Sequence, residues 1–127
     1  MWSRQRNPEA AKRVADRRQR EQDAPRLLQE TPGLQSLYIE LKESGDANGN
    51  PVSSHIRRFQ LSTAPALFLF PCGDPKCDGG GHDITDEVLA GLREHKTRIE
   101  GQDACVGAAG EVPCTRTLSY AVVATFE

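Results

Sequence analysis

A chain of 127 residues has room for one core, because a fold of this size buries roughly two-thirds of the surface its unfolded chain exposes. Only 37% of its residues are hydrophobic and 6% aromatic, against 11 glycines and 8 prolines, which predicts a lean core, many loops and a use for extra cross-links. The net charge of -2 excludes a surface that is basic all over; residues 1–30 hold eight Arg and Lys against five Asp and Glu, so any basic surface is N-terminal.

Asn7-Pro8-Glu9 reads as a helix start: an Asn cap, a proline at the first helical position and an acid beside the positive end of the dipole. The helix is predicted to run from Pro8 to about Asp23, stopping before Pro25. Arg13, Arg17 and Arg20 fall at i, i+4 and i+7 on one face, which suits contact with phosphate in nucleic acid or another polyanion. The plainer reading is a solvated helix, since Glu9 with Arg13, Asp16 with Arg20 and Arg17 with Glu21 all have ion-pair spacing. Residues 1–30 therefore read as a charged helix or arm, and residues 31–127 as the folded domain.

A short turn before Pro32-Gly33 is expected to bury Leu27 and Leu28. Leu37, Ile39 and Leu41 alternate with Tyr38, Glu40 and Lys42, the period of a half-buried strand. The loop of residues 44–51 then leads to a returning strand over about Ser54 to Ser62, with His55 and Arg57 on the face of Phe59 and Leu61. Ala66-Leu67-Phe68-Leu69-Phe70 is short and continuously apolar, as expected of a strand covered on both faces.

That run delivers Cys72. Cys77 follows at Cys-x4-Cys spacing, then Gly79-Gly80-Gly81, His82 and a helix capped by Asp83 that carries Ile84, Val88, Leu89 and Leu92 as its apolar stripe. This helix is expected to end near His95-Lys96, with Thr97 to Glu100 as a short edge strand. Cys105 and Cys114 bound a small flexible loop at Cys-x8-Cys spacing. Leu118, Tyr120, Val122, Ala124 and Phe126 then alternate with smaller residues, which predicts a strand placed centrally. The order of elements gives an α+β fold: one domain with an antiparallel sheet of about four to five strands, one packed helix and an N-terminal helix.

The start, Met1 to Arg6, has no apolar h-region, and no window approaches the ~18 apolar residues of a membrane span, so a cytoplasmic protein without a membrane partner is expected. A reducing compartment favours metal over two disulfides for four spaced thiols. Structural zinc held by Cys72, Cys77, Cys105 and Cys114 is the leading reading. Gly73 and Pro75 suit a turn that aims the first pair inward, and Lys76 favours thiolate. Disulfides or unligated thiols are the alternatives. The cysteines resemble those of four-cysteine zinc-ribbon-like modules in general, although the x4 and x8 spacings differ from the usual short knuckles. The resemblance covers only the thiols and implies no function.

His82 is an alternative ligand: with Cys72 and Cys77 it would leave a zinc position open for water, as a small hydrolytic enzyme requires. The His-x-Glu pattern of zinc deaminases and the His-Glu-x-x-His helix are both missing, which argues for a plain turn histidine. The three glycines before a helix suit an anion nest, yet Asp78 and Asp83 bracket them and no P-loop ending follows. Ser53, Ser54 and His55 show no nucleophile-base spacing, Trp2 and Tyr38 are thin evidence for base stacking, and there is no redox Cys-x-x-Cys. The function expected is a non-catalytic zinc-binding interaction module whose N-terminal helix meets an unknown protein or nucleic-acid partner. A homo-oligomerising accessory domain is the further alternative.

Overall fold

The computed structural model describes residues 8–45 and 51–127, with side chains for 15–45 and 52–127. The Asn7 cap, Trp2 and most of the loop of residues 44–51 lie outside the described residues. The first helix, α1, runs Pro8–Asp23, and a single helical turn, α2, runs Leu27–Glu30. Leu27 is fully buried, whereas Leu28 stays 38% exposed, because a four-residue helix has one face to give the core. Leu27 N–H donates to Ala64 O and Ala66 N–H to Pro25 O, which ties this turn to the segment after the second strand.

The sheet has four antiparallel strands. β1 (Leu34–Ser44) and β8 (Thr117–Phe126) are central, and β2 (Pro51–Arg58) and β5 (Arg98–Ala104) are the edges, in the order β2-β1-β8-β5. Leu37, Ile39 and Leu41 of β1 and Leu118, Tyr120, Val122 and Ala124 of β8 are buried on one face, as their alternation predicts. Tyr38, Glu40 and Lys42 lie on the opposite face, half-buried or exposed. Each fully buried side chain such as Ile39 or Val122 contributes roughly 1.5–3 kcal/mol, so this single inner face supplies most of the stability.

Helix α3 (Thr85–Arg93) covers that face with Ile84, Val88, Leu89 and Leu92. Its Gly91 lies so close to Ile99 of β5 that a Cβ there would collide with the isoleucine side chain. Asp83 Oδ1 accepts from Thr85 N–H, so it performs the expected capping although the first non-helical residue is Ile84. The helix stops at Arg93 rather than at His95-Lys96. His95 N–H donates to Leu92 O and Lys96 N–H to Gly91 O, the double bond pattern of a helix end whose C′ residue is left-handed. His95 takes that role at φ 58°, with its ring stacked 4.7 Å from Phe126.

Further sequence expectations are corrected. The returning strand is Pro51–Arg58 and not Ser54 to Ser62, so Phe59 and Leu61 pack against the core from beyond its end. Ala66 to Phe70 is not a strand of the sheet: only Leu69–Phe70 (β3) pairs, with His82–Asp83 (β4), in a separate two-stranded ladder. The segment lies against the inner face, where Ala66, Phe68 and Phe70 are buried and Phe68 N–H donates to Thr85 Oγ1. Continuous apolarity reports burial on every side, which an irregular covering segment also satisfies. The stretch between Cys105 and Cys114 is likewise not an irregular loop, since Ala108–Ala109 (β6) and Val112–Pro113 (β7) pair as a hairpin turned at Gly110, φ 63°. No described helix is long and apolar enough to cross a membrane.

Candidate metal centre

Both cysteine-bearing loops lie at the same end of the four-stranded sheet. Cys72 and Cys77 sit between β3 and β4, and Cys105 to Cys114 fill the connection from β5 to β8. The loops are joined by a two-bond bridge in which Asp78 N–H donates to Ala108 O (2.8 Å) and Ala108 N–H to Asp78 O (3.0 Å). The consequence is a cluster of all four sulfurs, each within 4.8 Å of the others. Cys72 Sγ is 3.7 Å from Cys114 Sγ, and Cys77 Sγ is 3.6 Å from Cys105 Sγ. All four are free thiols. One coordination sphere spans such distances, so the four cysteines form a candidate metal site.

Backbone amides aim at the sulfurs. Asp74 N–H points to Cys72 Sγ (3.5 Å), Gly107 N–H to Cys105 Sγ (3.5 Å) and Gly81 N–H to Cys105 Sγ (3.4 Å). Two glycines make the approach feasible. A Cβ on Gly80 would strike both Cys105 Sγ and Cys77 Sγ, and one on Gly107 would stand 2.5 Å from Cys77 Sγ. Here the glycines supply space; at Gly79 and Gly81 they supply φ of 75° and 127°.

The electrostatics call for a cation. Burial pushes the Cys77 thiol up to about 11, helped by its contact with Cys105. Burial drives Cys72 higher still, against the opposing Asp74 amide. Cys105 goes the other way: burial raises it, but the Gly107 and Gly81 amides and the neighbouring thiols outweigh that and hold it below the ordinary thiol value. The Cys105 thiolate is favoured while Cys72 and Cys77 resist ionising, so a positive ion among the sulfurs would be needed to bring those two to thiolate.

His82 does not belong to the sulfur group. The residue is 2% exposed, with Nδ1 2.8 Å from Asp103 Oδ2 and Nε2 3.5 Å from Glu43 Oε2. Sequence reasoning missed both partners, although the signal existed: Glu43 is the next member of the buried series 37, 39, 41.

Of the predicted arginine face, Arg17 is half-buried and Arg20 is exposed. Arg20 pairs with Asp83 at 3.1 Å, and with Arg17 it lines a cleft of about 550 Å³ whose far wall is Cys72, Cys77 and the glycine loop. Burial alone would raise the Asp83 carboxyl, but Thr85 and Arg20 outweigh it and hold the group below its ordinary range. The Arg13 side chain lies outside the described residues. Comparison with known protein families, with curated proteins and with solved structures finds no match, so the site is interpreted from its own chemistry.

Proposed function

We propose that this chain is a non-catalytic interaction module in which one zinc ion, held by Cys72, Cys77, Cys105 and Cys114, staples the two loops at the end of the sheet. The observation that carries the reading is the sulfur cluster. A tetrahedron of sulfurs about 2.3 Å from zinc has edges of about 3.8 Å, and the Cys77–Cys105 and Cys72–Cys114 sulfurs are 3.6 and 3.7 Å apart. Four thiolates close the coordination sphere and leave no position for water or substrate, so the metal contributes stability instead of chemistry. It also compensates a lean core.

The presented surface is α1 together with the metal-bearing end of the sheet. Val106, just before the hairpin, is 87% exposed and Val112, on its second strand, 66% exposed, apolar side chains beside the cluster that suit a protein partner. Arg17 and Arg20 stand across the cleft and would add contacts to acidic groups. Chelator titration followed by thermal unfolding tests the staple. Removal of one zinc should lower the melting temperature markedly and restore it on re-addition, while an unchanged curve with all metal removed would reject the reading. Salt dependence separates partners: a nucleic acid held by Arg13, Arg17 and Arg20 would release steeply as salt rises. Self-association is the second reading, favoured by Val52 and Ile56, 55% and 54% exposed on the edge strand β2; a molar mass that rises with concentration would establish it.

A further inference from the structure

We infer that Glu43 is a positioning residue for the metal site: a buried carboxylate on the central strand that fixes where the cysteine loops stand. The inference rests on the metal reading above. Glu43 points to the inner face of β1 and is 5% exposed, in a place where the pattern of the strand calls for an apolar side chain. A buried carboxylate is costly unless it is fully partnered, and an apolar residue of similar volume is often as stable or more so.

Its partners are what set it apart. Gly73 N–H donates to both carboxylate oxygens, at 3.1 and 3.0 Å, and Arg116 Nη1 donates to Oε1 at 3.0 Å. His82 Nε2 stands 3.5 Å from Oε2 and has no hydrogen-bond partner among the described residues, while Nδ1 of the same ring meets Asp103 at 2.8 Å. A Cβ on Gly73 would come within 2.5 Å of Glu43 Oε1, so glycine is what allows the backbone this close.

Both hydrogen-bonded contacts land beside a cysteine, and the His82 ring leads on to a third. Gly73 follows Cys72, Arg116 lies two residues after Cys114, and Asp103 lies two residues before Cys105. Two of the four ligand-bearing segments are thus bonded to one side chain on a strand paired along both edges, and Asp103, before Cys105, meets the His82 ring packed beside it. Glu43 itself touches no sulfur in any of these contacts. It acts on the backbone after Cys72 and on the Arg116 side chain, so it governs the distance between Cys72 and Cys114, now 3.7 Å. Partners of this outer kind typically affect metal affinity 10- to 100-fold.

The test uses the full chain with Zn²⁺ and Co²⁺ alone as probes. Glu43→Gln keeps the volume and removes the charge and one acceptor. Val122→Ala, a core truncation several residues along β8 from the metal end, serves as a control for simple loss of stability. Competition with a chromophoric chelator should show Glu43→Gln binding Zn²⁺ about 10- to 100-fold more weakly, with a shifted Co²⁺ absorption band, while Val122→Ala leaves the band in place. An unchanged band, or an affinity loss no larger than in Val122→Ala, would overturn the inference while the metal reading stands. If Glu43→Gln does not fold, Arg116→Gln probes the same link from its solvent side and must move the band in the same way. Failure of the wild-type chain to bind either ion would refute the metal reading itself and this inference with it.

Discussion

Replacing Gly107 with alanine puts a methyl group where the sulfur cluster has no room. Built on the existing backbone, the new Cβ lies 2.5 Å from Cys77 Sγ, 2.6 Å from Gly80 N and 2.7 Å from Asp78 O. Ordinary contact begins near 3.4 Å, so these neighbours must retreat by about 0.7–0.9 Å. Two of them are backbone atoms in a loop pinned by the Asp78–Ala108 bridge. The third is a sulfur, and a metal–ligand bond tolerates displacement of only about ±0.2 Å. Gly107 is outside the left-handed region, so the substitution carries no backbone penalty and steric cost is its main effect. Overpacking typically costs ~1–3 kcal/mol, which, if it falls on the bound state, weakens metal binding about 5- to 150-fold. Gly110→Ala is the counterpart: φ is 63° and nothing lies within 4 Å, so it costs ~1–2 kcal/mol of backbone strain with little effect on affinity. Chelator competition on both variants decides. Gly107→Ala binding zinc as tightly as wild type, or Gly110→Ala losing as much, would refute the reasoning.

Three further outcomes follow from the same contacts. Metal affinity should rise steeply with pH, because Cys72 and Cys77 sit above the ordinary thiol value and must release protons to bind; a pH-independent affinity between pH 6 and about 8 would contradict this. Gly91→Ala should destabilise the fold by about 1 kcal/mol as its methyl meets Ile99, yet stabilise it in an Ile99→Ala background, where only the helix-propensity gain remains. Paired denaturant melts measure both. The low-pKa Asp83 contributes stability that is present above the ordinary carboxylate value and lost as pH falls through its lower folded value. Since Arg20 and Asp83 are half exposed, Arg20→Ala should cost under ~1 kcal/mol and loosen α1 by hydrogen exchange; a larger loss would mean that α1 is held by more than this pair.

The inner face of β1 and β8 was legible in the sequence because one side of each strand is buried and the other is not. Leu118 to Phe126 and Leu37 to Leu41 alternate for that reason. Alternation says nothing about a segment laid across the sheet, which is why Ala66 to Phe70 imitates a buried strand. β5 runs on to Ala104, past the expected Glu100, through Gly101, Gln102 and Asp103, residues with little strand preference of their own. Pairing with β8 extends it, and Gly101 is needed because the Tyr120 hydroxyl lies against it.

At the metal end, spacing singled out the four cysteines but not what surrounds them. Cys-x8-Cys looks too long for a tight knuckle until Ala108 to Pro113 folds back as a hairpin and returns Cys114 toward the Cys105 side of the cluster; Cys114 N–H then donates to Gly107 O. Glu43, Asp103 and Arg116 come from three strands or strand ends far apart in sequence, and only the register of the sheet brings them together. His82 was visible as a candidate ligand; its two carboxylate neighbours, Asp103 bonded to Nδ1 and Glu43 3.5 Å from Nε2, were not.

The most direct test of the central claim is the mass of the freshly purified chain under native and denaturing conditions, with its thiols mapped by alkylation. The account predicts a native mass higher by one zinc, and four cysteines that react only after denaturation and chelation. A chain without metal whose denatured mass is low by about 2 or 4 Da would mean one or two disulfides, and would contradict the account.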